Sequence, residues 1–124
     1  MTLTEVQARV SKTAAFTGSG IDISGITGDW TLKLQVESLV DAVAATAPMV
    51  RFSFEDTIND WTASLAGPTV AFKGTLAASY DKVKSFKKQD FPDLRLGTNS
   101  AQLRLKLSNR VSGDTVIYRS WLEH

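Results

Sequence analysis

Strict alternation of apolar and polar residues in three separate runs constrains this chain more than any other feature. Trp30, Leu32, Leu34 and Val36 fall in one phase, with Thr31, Lys33, Gln35 and Glu37 in the other. Val50, Phe52 and Phe54 alternate with Arg51, Ser53 and Glu55, and Leu103, Leu105 and Leu107 alternate with Arg104, Lys106 and Ser108. Side chains of a β-strand point to opposite faces with a period of two, so each run buries one face and shows the other to water. A helix would scatter the same residues around its circumference and expose half of the apolar ones. Three half-buried strands follow. Leu34, Phe52 and Leu105 are central to the expected core, while Lys33, Arg51 and Arg104 are expected on outward faces that tolerate alanine.

Weaker signals fill the intervals. Residues 10–16 read as an opening strand closed by Gly18-Ser19-Gly20, and residues 69–73 as a strand after the turn signal Gly67-Pro68. Residues 80–86 read as a strand of mixed faces. Residues 116–122 carry apolar side chains in both phases, as expected of a strand covered on both sides. The stretch 108–115, with Gly113-Asp114, predicts a hairpin joining the last two strands. Asp41 as N-cap and Pro48 as stop bracket a short helix or irregular crossover at 41–47. The expected fold is all-β, an antiparallel two-sheet β-sandwich of about seven to eight strands with at most one short helix. A chain of 124 residues with 43% hydrophobic and 22% charged residues has room for one core. Residues 1–121 are therefore read as a single domain, and Leu122-Glu123-His124 as the remnant of a C-terminal purification tag.

The same inventory excludes several chemistries. There is no cysteine and the one histidine is His124, which removes cysteine nucleophiles, thiolate metal sites and a Ser–His–Asp triad. The glycines near residue 18 lack the strand–loop–helix setting and the lysine of a phosphate-binding loop. Glu55, Asp56 and Asp60, like Asp90 and Asp93, match no calcium loop and read as acids at strand ends. No enzyme, cofactor or metal site is predicted. No apolar run reaches the length of a membrane span, and Met1-Thr2-Leu3-Thr4-Glu5 is acidic where a signal peptide is basic. The expectation is a soluble protein, cytoplasmic or virion-associated, without a membrane partner.

Charge is unevenly distributed although the net value is +1. Residues 1–72 hold Arg9, Lys12, Lys33 and Arg51 against eight acids, whereas 73–110 hold nine lysines and arginines against Asp81, Asp90 and Asp93. Within the basic stretch, Lys82, Lys84, Lys87 and Lys88 form a candidate interaction surface. Lysines also guard sheet edges, and the near-neutral net charge weighs against nucleic acid as the partner. Among the tryptophans, Trp30 is in phase with the core. Trp61 is the candidate ligand aromatic for carbohydrate, although core placement is the simpler expectation for both Trp61 and Trp121.

The strand Trp30-Thr-Leu-Lys-Leu-Gln-Val-Glu-Ser, then Phe52-Ser-Phe-Glu-Asp-Thr, Phe91-Pro-Asp-Leu-Arg-Leu-Gly, Leu103-Arg-Leu-Lys-Leu and the ending Tyr118-Arg-Ser-Trp-Leu form a recognisable series. In this series the chain resembles the small β-sandwich structural proteins of tailed-phage and prophage virion gene clusters. That resemblance implies a non-catalytic structural or assembly role, through protein partners or self-association. Head-to-tail contacts, which join two different surfaces of identical subunits, suit the charge asymmetry. The alternative is a carbohydrate-binding β-sandwich module using Trp61.

Overall fold

A computed structural model describes the backbone of residues 1–23, 25–40, 49–58, 65–73, 82–90, 101–108 and 115–124, and the side chains of 1–23, 25–39, 50–55, 82–90, 103–108 and 115–124. Among the described residues there are nine strands: β1 (Leu3–Lys12), β2 (Phe16–Thr17), β3 (Ile21–Asp22), β4 (Thr31–Val40), β5 (Met49–Ile58), β6 (Leu65–Lys73), β7 (Lys82–Lys87), β8 (Ala101–Ser108) and β9 (Thr115–Glu123). A 3-10 turn, Lys88–Asp90, follows β7. All pairings are antiparallel, in one sheet of order β1-β9-β4-β7 and another of order β2-β8-β5-β6, with β3 beside β2 along the same edge of β8. The chain is an all-β, two-sheet sandwich.

The three alternating runs became β4, β5 and β8. Trp30, Leu32, Leu34, Val36, Val50, Phe52, Phe54, Leu103, Leu105 and Leu107 are all buried, joined by Val116, Tyr118 and Leu122 from β9. Two aromatic contacts bridge the sheets edge to face: Phe52 with Tyr118 at 4.8 Å between ring centroids, and Phe54 with Phe86 at 5.3 Å. Such pairs add to the area they bury.

Four sequence expectations need correction. The opening strand is Leu3–Lys12, and Phe16 belongs to the other sheet. Its alternation is broken by register shifts between Glu5 and Gln7 and between Gln7 and Val10, which hide the period. Gly67-Pro68 does not precede a strand but lies inside β6, opposite the register shift between Ser53 and Glu55. β6 is an edge strand, where proline is tolerated. The last two long strands form no hairpin: β8 is already flanked by β5 and by β2 and β3, so β9 crosses to the other sheet. Finally, β9 is buried on one face only, with Ile117 and Trp121 half-exposed on the other. The helix considered at 41–47 and the turn at 109–114 lie outside the described residues.

The three terminal residues continue β9. Leu122 is buried, the backbone amides and carbonyls of Thr2 and His124 exchange two hydrogen bonds, and His124 Nε2 lies 2.8 Å from Thr4 Oγ1.

Candidate functional site

Inward residues of β4 and β9 pack against the second sheet, so their alternates must line the opposite face of the four-stranded sheet, which no described element covers. Cross-strand register sorts that outer face into rows. Leu3, Glu123, Thr31 and Lys87 form one row across β1, β9, β4 and β7, and Glu5, Trp121, Lys33 and Ser85 form the next. The β1–β9 half carries Glu5 and Glu123 together with Arg9 and Arg119, and the β4–β7 half carries Lys33 and Lys87 together with Glu37. The Arg119 guanidinium turns toward Glu37, 3.9 Å away, and donates to Gln35 Oε1 at 2.9 Å. Arg9 also pairs with Glu37.

Between β1 and β9 the face dips into an open groove of about 360 Å³ lined by Leu3, Glu5, Gln7, Arg119, Trp121 and Glu123, with Met1 at its margin. The indole Nε1–H of Trp121 donates to Glu123 Oε2 at 3.0 Å, and the Arg119 guanidinium lies over the ring, 4.8 Å from its centroid. Sequence reading placed Trp121 in the core because large aromatics are ordinarily buried in sandwich cores. The signal it missed is phase: Arg119 and Trp121 alternate with Tyr118, Ser120 and Leu122, so they share the outward face. Met1, Leu3 and Val83 are the large apolar side chains most open to water among the described residues, and Leu3 and Val83 stand on opposite halves of this face.

The four candidate lysines line the β7 side of the sheet without sharing one face. Lys82 and Lys84 are opposite Val36 and Leu34, so they start from the core face at the margin of the sandwich, where both remain exposed. Lys87 points outward. Lys88 sits in the 3-10 turn and donates from Nζ to the Gly28 carbonyl at 3.0 Å, while the amide of Lys87 donates to Asp90 Oδ2 at 2.9 Å. Gly28 itself has φ +88°, a left-handed conformation that L side chains adopt at a cost. Charged residues that point inward on an edge strand block pairing with another sheet. The other long edges carry their own obstacles, the register shifts of β1 and Gly67-Pro68 in β6.

The second sheet neutralises much of its own charge. Glu55 is ion-paired with Arg104, its direct cross-strand neighbour, and lies 3.6 Å from Lys106 Nζ. Arg104 and Glu55 are mostly buried side chains, so Arg104 is not the free surface position that alternation suggested, whereas Arg51 is exposed. Part of the charge asymmetry counted along the chain is thus cancelled within the molecule. Asp90 holds the turn after β7. The side chains of Asp56, Asp60 and Asp93, and the whole of Trp61, lie outside the described residues. Among the described residues no group of three or more acidic or histidine side chains converges as a metal site would require, and no helix is long and apolar enough to cross a membrane.

No family model matches the chain, and no curated protein matches it in sequence. What distinguishes the molecule is therefore its own geometry, a sheet face with a groove between β1 and β9 and a lysine-lined edge at β7.

Proposed function

We propose that this chain is a non-catalytic assembly protein, a virion component of the tailed-phage or prophage kind, that works through protein–protein contacts. The observation that supports this reading is the outer face of the four-stranded sheet. It offers Leu3, Val83 and Trp121 to a partner, and with Arg9 and Arg119 paired to Glu37 it leaves Glu5 and Glu123 on one half and Lys33 and Lys87 on the other. Edge pairing is opposed by the lysines of β7, so a face contact is the remaining route. A face rich in charge binds with modest affinity but with defined orientation.

Carbohydrate binding is the second reading, favoured by the half-exposed indole of Trp121 in an open groove beside Glu5 and Gln7. Against it, Arg119 already lies over that ring. Assembly accounts for both halves of the face, whereas a sugar site uses only one.

Sedimentation across a concentration series tests the assembly reading. Wild type is expected to self-associate at about 0.05 M salt and to weaken by about 0.5 M, where the Debye length falls to a few ångströms. Reversal of Lys82, Lys84, Lys87 and Lys88 to glutamate is expected to lower association at low salt by at least roughly tenfold. A wild type that stays monomeric at every concentration contradicts self-association. A reversed variant that associates as well as wild type removes the basic edge from the contact.

A further inference from the structure

We infer that two copies of this chain pack outer face on outer face about a two-fold axis that runs along the strands between β4 and β9. The inference rests on the assembly reading and names its partner as a second copy. Head-to-tail association, which the charge count along the chain suggested, is not needed once the charges are placed in space, because Glu5, Glu123, Lys33 and Lys87 all lie on one face of one sheet.

A two-fold axis parallel to the strands reverses the strand order of the second copy while keeping positions along the strands. The β1–β9 half of each copy then covers the β7–β4 half of the other. Glu5 faces the neighbourhood of Ser85 and Lys87, and Trp121 faces Lys33, because Glu5, Trp121, Lys33 and Ser85 already form one cross-strand row. Lys33 is held pointing along that row by its 2.8 Å hydrogen bond to Ser85 Oγ. Every contact between opposite charges occurs twice, as an isologous interface requires. An axis across the strands would instead set Glu5 over Glu5 and lysine over lysine, which like-charge repulsion disfavours. Exposed Leu3 and Val83 leave water in the same step.

The area is sufficient for a weak dimer. Four strands at about 4.8 Å spacing and roughly 30 Å long outline about 600 Å² per copy. Two copies bury about 1,200 Å², the lower end of specific interfaces. Such a dimer depends on its charges and dissociates in salt.

Cysteine cross-linking tests the geometry cleanly, because the chain has no cysteine of its own. Glu5→Cys and Ser85→Cys are made separately, mixed and oxidised at low salt. Disulfides between unlike variants are expected to exceed those between like variants by roughly fivefold or more, since like positions stand about 14 Å apart across the axis, beyond disulfide reach. In parallel, wild-type association is expected to stop at the dimer, and Glu5→Lys is expected to weaken it by about tenfold. Glu5 is chosen because Glu123 lies in the segment with the composition of a tag. Association that continues past the dimer, or like-pair disulfides that dominate, overturns the two-fold arrangement and leaves the assembly reading standing. Absence of association at any concentration overturns this inference and the self-association half of the assembly reading.

Discussion

Truncating Phe52 to alanine is expected to cost about 3–5 kcal/mol of folding stability, and to leave the domain largely unfolded if its total stability is ordinary for its size. Phe52 is fully buried at the centre of β5, paired in register with Val70 of β6 and Leu107 of β8. Its ring meets Tyr118 of the opposite sheet edge to face at 4.8 Å, so the truncation removes contacts within one sheet and across the sandwich together. The cavity would be bounded by Leu107, Tyr118 and other strand residues fixed by their ladders, which limits relaxation. Arg51, its exposed neighbour in sequence, should accept alanine within about half a kcal/mol. Urea unfolding of the two variants beside wild type checks the pair. Equal losses would mean that the outward face of β5 is covered in solution.

The second large effect concerns Tyr118 and alkaline pH. Its side chain is fully buried, and its hydroxyl has no hydrogen-bond partner among the described residues. Burial disfavours the phenolate and pushes the pKa up from 10.0 to about 12. The folded value lies above the unfolded one, so the unfolded chain ionises first as pH rises. The stability tied to this group is complete below pH 10 and is lost as pH climbs toward 12, a loss of up to about 2.7 kcal/mol for a two-unit shift. Tyr118→Phe removes this dependence. It also relieves an unsatisfied donor, so at neutral pH the variant is expected to gain about 1 kcal/mol. Denaturant unfolding of both proteins at pH 7 and between pH 10 and pH 12 isolates the effect, since other groups titrate equally in each. A variant less stable at pH 7 would show that the hydroxyl has a partner in solution.

Much of this fold was readable from period alone, and the misreadings share a physical origin. β4, β5 and β8 each have neighbours on both sides and one dry face, so their alternation is unbroken. Edges behave differently. β1 buries only Val6 fully and shifts register twice, which conceals its true start from any periodic signal. Proline in β6 looks like a strand boundary until the strand is known to be an edge. Strand partnership was also invisible: alternation states which face is dry but not which strand lies alongside, hence the hairpin expected between β8 and β9.

The candidate surface was legible in part. Lysine density marked β7, but the inward phase of Lys82 and Lys84 could be seen only once Val36 and Leu34 were opposite them. Glu5 and Trp121 gave no signal of belonging together, because they are neighbours through the ladder between β1 and β9 and are distant in sequence. The charge count along the chain overstated the separation of charge, since Glu55 and Glu37 are each held between two basic side chains.

Residue-resolved amide shifts of isotope-labelled protein, compared between dilute and concentrated samples at low salt, test the central claim most directly. If the outer face of the four-stranded sheet is the contact surface, shifts gather on Leu3 and Glu5, on Arg119 and Trp121, on Lys33 and on Val83 to Lys87. Arg51, Arg104 and Lys106 on the far sheet stay unmoved, and high salt reverses the changes. Shifts centred on the far sheet, or none at any concentration, would contradict the account.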